Sequence, residues 1–94
     1  MKFMIYTQDK DGSLDVRKAN RDAHLAHLKA ESKVNVISAG PWLDDDNETM
    51  KGSLLVVEAN CINCVTGWVK DDPYLKAGLT AKITIHPLAA WMDF

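Results

Sequence analysis

Two segments of this 94-residue chain carry side chains suited to proton chemistry: Arg21-Asp22-Ala23-His24-Leu25 and Asp72-Pro73-Tyr74. Imidazole takes up and returns protons near neutrality, its ordinary pKa lying at about 6.5. A carboxylate held against the ring fixes the tautomer and stabilises imidazolium. His24 and Asp72 therefore form the candidate acid–base dyad, although sequence alone does not show that they meet. Arg21 is placed to bind an anionic substrate or to stabilise a developing oxyanion, and equally to neutralise a local carboxylate such as Asp72. Each residue also has a plainer reading. A helix-edge histidine bonds to backbone or water, and an Asp before Pro bonds to the amides of its own turn.

Other chemistry-bearing types are less specific. Cys61-Ile62-Asn63-Cys64 stands at a helix start, where thiol pKa values fall, and so resembles a redox or metal half-site. No second such pair exists, and His24, His27 and His86 lack zinc-module spacing, so buried small hydrophobes are the plainer reading and no metal or cofactor is expected. Asp44-Asp45-Asp46-Asn47-Glu48 lacks the glycine and ligand spacing of a calcium loop and reads as a solvated turn. Trp42, Trp68 and Trp91 with Tyr74 could line an aromatic pocket, or simply fill the core and interfaces.

The elements that must hold these groups follow from periodicity. Lys2 to Thr7 reads as a strand, and Asp9 to Gly12 as a turn. Ser13 is a candidate N-cap for a helix from Leu14 to about Glu31, free of Pro and Gly. On a helical wheel Leu14, Arg21, Leu25 and Leu28 share one stripe, His24 lies at its edge, and His27 points further towards solvent. Val34 to Ala39 predicts a second strand closed by Gly40-Pro41, and Ser53 to Ala59 a central third. Asn60 can cap a helix from Cys61 to Lys70, which Asp71-Asp72-Pro73 stops. Leu79 to Ile85 alternates as a half-buried last strand, ended by Pro87.

The order β-α-β-β-α-β predicts an α+β, ferredoxin-like fold, an antiparallel sheet with two helices on one face. The other face must be polar or covered, and a second copy is the economical cover, so a homodimer is expected. Residues 1–94 read as one domain, of a size at which an added interface helps stability. A net charge of −2 offers no excess to neutralise phosphates, so nucleic acid is not an expected partner. The start, Met1-Lys2-Phe3-Met4-Ile5-Tyr6, is too short in apolar residues for a signal or spanning segment. With so few cysteines, a cytoplasmic location away from membranes is expected.

Arg21-x-x-His24-Leu25-x-x-Leu28, Ser38-Ala39-Gly40-Pro41, Gly52-Ser53-Leu54-Leu55-Val56-Val57 and Asp71-Asp72-Pro73-Tyr74-x-x-Ala77-Gly78-Leu79, in that order, resemble the YCII-related (YciI-like) family. The resemblance spans Met1 to about Pro87. It implies the dimeric α/β-barrel group of ferredoxin-like folds, and a cleft with a His–Asp dyad at His24 and Asp72, flanked by Arg21 and Ser53. A related member is described as removing chloride from a chlorinated hydroxyquinol. Cys61-Ile62-Asn63-Cys64 departs from the acidic or alanine-rich opening more usual in the family. The expected function is a small cofactor-free enzyme doing acid–base chemistry, of lyase, isomerase or dehydrochlorinase type, on a cyclic or aromatic metabolite. The alternative is a non-catalytic module that binds such a molecule.

Overall fold

A computed structural model describes residues 1–91. Strand β1 (Lys2–Asp9) leads to helix α1 (Leu14–Lys29), then β2 (Asn35–Leu43), β3 (Met50–Glu58), α2 (Ile62–Lys70), the short α3 (Pro73–Lys76) and β4 (Thr80–Leu88). The strands form one antiparallel sheet in the order β2-β3-β1-β4. This is the expected ferredoxin-like layout, with α3 added. Odd-numbered residues of β1 and β3 point to the helices, and Phe3, Ile5, Leu55 and Val57 there meet Val65, Trp68 and Val69 of α2 and Leu28 of α1. Each such fully buried side chain contributes on the order of 1.5–3 kcal/mol.

Several boundaries differ from the sequence reading. β2 runs on through Gly40-Pro41 to Leu43, and β4 through Pro87 to Leu88. Both are edge strands. An edge strand tolerates proline, because one of its sides has no partner that needs an amide hydrogen. β3 begins at Met50 rather than Ser53, and α1 ends at Lys29. Cys61, not Asn60, is the N-cap of α2, its sulfur accepting from the Cys64 amide at 3.2 Å. Ser13 occupies the N-cap position of α1 without a side-chain capping bond.

Two approaches lock the edge of the sheet beside the site. Gly52 lies opposite Trp42 in the β2/β3 ladder, and any side chain there would overlap the Thr7 carbonyl and the Trp42 indole. The space admits Trp42 Nε1, which donates to the Thr7 carbonyl at 2.7 Å, while the indole stacks on Tyr6. Trp42 thereby clamps β2 to β1 across β3. Trp68 belongs to the core and Trp91 is exposed, so the tryptophans and Tyr74 do not share one pocket.

Candidate active site

The face that α1 turns inward is centred on polar residues. Arg17 and His24, two helical turns apart, are its buried side chains, whereas Arg21 is exposed. Arg17, which the sequence reading passed over, is therefore the buried arginine of this helix. Its Nε donates to Asp9 Oδ2 at 2.7 Å and its Nη2 to Asp9 Oδ1 at 3.1 Å, a bidentate fork on a carboxylate at the end of β1. Nη2 also donates to Ser53 Oγ at 2.9 Å. Ser53 in turn is fixed through its amide, which donates to Thr7 Oγ1. Burying two charges is tolerable only with this degree of satisfaction.

His24 and Asp72 do meet. His24 Nδ1 lies 2.9 Å from Asp72 Oδ1 and 3.0 Å from Oδ2, both residues being buried. An ionised carboxylate only accepts, so this contact places a proton on Nδ1 and leaves Nε2 outside the pair. Among the described residues, no hydrogen-bond partner engages Nε2. Asp72 is itself held by its local structure. As N-cap of α3 it accepts from the Tyr74 amide through Oδ1 at 2.9 Å, with Pro73 in the first helical position where a missing amide hydrogen costs nothing.

Tyr74 completes the arrangement. Its ring stacks on His24 with centroids 3.9 Å apart and planes within 14°, and Arg17 Cζ lies 4.6 Å from the ring centroid. Burial pushes the Tyr74 phenol above its usual pKa, with the Arg17 cation opposing the shift. The hydroxyl is thus a neutral donor at ordinary pH.

These side chains border a cavity of about 320 Å³ lined by Arg17, Lys18, Arg21, His24, Ser53 and Tyr74, with Leu25, Leu28, Pro41, Met50 and Leu55 among its apolar walls. The size suits a small organic ligand. Among the described residues, no carboxylate lines it. Among the described residues Lys18 and Arg21 have no ion-pair partner, and Arg21 does not neutralise Asp72. Among the described residues, no cluster of His, Cys, Asp or Glu has the makings of a metal site.

Comparison with known proteins gives the family of the whole chain. The YCII-related domain matches residues 1–89. The chain belongs to the YCII-related family. Protein YciI of Escherichia coli is 32% identical over 93 residues, covering 93% of this chain and 95% of its own. An uncharacterised Haemophilus influenzae protein is 31% identical over the same shares. Among solved structures, the 5-chloro-2-hydroxyhydroquinone dehydrochlorinase of Burkholderia phenoliruptrix, in complex with 2,5-dihydroxybenzoquinone, is similar at 39% identity and a TM-score of 0.80, over 94% of this chain and 93% of that one. The YCII fold of this chain is thus one in which a relative performs small-molecule chemistry. None of the helices among the described residues is long and apolar enough to cross a membrane.

The sequence reading named His24, Asp72, Arg21 and Ser53, and Tyr74 only as a wall of an aromatic pocket; it did not name Arg17 or Asp9, which the structure places in the same cluster. Arg17 stands seven residues before His24, which is the spacing of one helical face. The two cysteines, expected as small core hydrophobes, are joined as a disulfide. Their number therefore no longer speaks for a reducing compartment.

Proposed function

We propose that this protein is a small-molecule enzyme that moves a proton on a compact hydroxylated ring compound. The observation that carries the reading is His24 Nδ1 seated on both oxygens of Asp72 beside a cavity with cationic and apolar walls. In this scheme His24 Nε2 takes a proton from a ring hydroxyl or an adjacent carbon, and Asp72 holds the ring in register and offsets the imidazolium charge. Arg21 stabilises the oxyanion that forms. Ser53, oriented by Arg17, presents its hydroxyl to a ring oxygen. The electron pair released by deprotonation can then expel a leaving group or return to a different atom, which are the dehydrohalogenase and isomerase outcomes of one apparatus. No cofactor is assigned to either step. The likeness to the dehydrochlorinase supports the first outcome, and the fold's open sheet face supports action as a homodimer of one-domain chains.

Chloride release from 5-chloro-2-hydroxyhydroquinone, followed with a panel of unchlorinated hydroxylated rings, tests the reading. His24→Ala is expected to lower turnover by about 10²–10⁴-fold, the usual yield of a positioned acid–base group. Asp72→Asn is expected to lower kcat more than it raises KM. Tight calorimetric binding of such compounds without turnover, unchanged in His24→Ala, would instead make the protein a binding module.

A further inference from the structure

The start of α2 bears a feature that the dyad does not use. Cys61 and Cys64 are paired as a disulfide at the first turn of a nine-residue helix, both half-buried rather than enclosed. They border an open groove of about 460 Å³ shared with Ser32, Lys33, Asn63 and Trp68. We propose that this pair is a reversible dithiol–disulfide centre that exchanges electrons with thiols docking in that groove.

Three observations converge on it. First, the bond is a poor staple. It closes a loop of only four residues inside a helix start that is already ordered, and the stabilisation a cross-link brings grows with the loop it closes. Second, the two sulfurs are differently placed. Cys64 packs against the hydrophobic core, while Cys61 lies outside that cluster as the N-cap and receives the Cys64 amide hydrogen on its sulfur at 3.2 Å. A capping role alone would be served by Ser, Asp or Asn and would not call for a second sulfur three residues on. Third, the positive end of the α2 dipole and the Lys33 ammonium at the groove both favour a thiolate at Cys61.

The exchange balances as follows. An external thiolate attacks Cys61 Sγ, the Cys61–Cys64 bond breaks, and Cys64 leaves as a thiolate that picks up a proton. A second external thiolate attacks the outer sulfur of the mixed disulfide, releasing Cys61 and an external disulfide. The protein pair gains two electrons and two protons, and the external thiols lose them. In reverse, Cys61 attacks an external disulfide and Cys64 resolves the intermediate.

The test uses the full chain in buffers of reduced and oxidised glutathione, trapped with a maleimide and weighed by mass spectrometry. The expected result is a reversible passage between molecules carrying no alkyl groups and molecules carrying one on each cysteine, with the circular dichroism of the folded protein unchanged. Cys64→Ser should accumulate a glutathione adduct on Cys61. Cys61→Ser should react with oxidised glutathione at least about tenfold more slowly, because Cys64 receives no capping amide hydrogen and is packed against the core. Repeating the reduction with thioredoxin separates a protein dithiol from a small thiol as the physiological donor. Either of two outcomes overturns the proposal: a wild-type disulfide that opens only in denaturant, or thiols that stay unpaired in oxidised glutathione. Both are read on the wild type, so they do not depend on the variants folding.

Discussion

At the residue scale the site depends on a charge pair that touches no reacting atom. Arg17 and Asp9 are both buried and bound to each other by two hydrogen bonds, so removing one leaves the other charged and unpaired in the interior. Asp9→Ala is expected to cost about 3–5 kcal/mol in urea unfolding. Arg17→Met combined with Asp9→Leu should cost much less, because the second change removes the stranded charge. This cluster was only half legible in the sequence, for a specific reason. The wheel was centred on leucines, and Leu14, Leu25 and Leu28 do lie near the buried side of α1. The centre of that side is nevertheless Arg17 and His24, rotated by about 60° at 100° per residue. Polar residues can hold the middle of a buried face only when long-range partners satisfy them. Here those partners, Asp9, Ser53 and Asp72, come from elements far along the chain. Asp9 was further disguised because it was read as the first residue of the turn, whereas the strand runs on to it and the ladder pairs it with Thr80.

At the element scale, the strands, helices and their order were written plainly in hydrophobic alternation, because period-two and period-3.6 patterns report burial directly. Ends were less legible. Pro41 and Pro87 stop strands only where the amide hydrogen is needed, and edge position is a property of the sheet, not of the strand. The short α3 escaped because four residues carry no periodicity; Asp72 before Pro73 was its only mark. The acidic turn between β2 and β3 behaved as read, with Asp46 closing it by accepting from the Thr49 hydroxyl and the amides of Thr49 and Glu48. Those bonds, the Thr49 hydroxyl foremost, hold the Asp46 carboxyl down from 3.8 to about 2. A depressed carboxylate pKa means that the turn's contribution is complete above pH 3.8 and is lost as pH falls through about 2. Carboxyl carbon NMR should place the Asp46 midpoint at about 2, and in Thr49→Val it should move up towards 3.8. A parent midpoint at 3.8 would show that the turn does not hold the carboxylate.

At the scale of the whole molecule, the helices cover one face of the sheet and leave the other partly apolar, with Met4 and Tyr6 half-buried and Leu54 at 42% exposure. Light scattering is expected to give the mass of two chains, and Leu54→Glu to lower it towards one, since a charge in a desolvated interface lacks a partner. A single-chain mass for the parent at micromolar concentration would remove the dimer from the functional reading. The cavity and the dyad lie on the helix side, so such a change should leave the monomer folded. Asp72, finally, serves two masters: it steadies the imidazole and it starts the helical turn that carries Tyr74. A descendant of this chain that had lost all reactivity would still be under pressure to retain that aspartate, simply to finish the crossing from α2 to β4. Presence of the aspartate in a divergent sequence is thus weak testimony to chemistry, and the histidine, which caps no helix, is the better witness by which living and defunct sites are told apart.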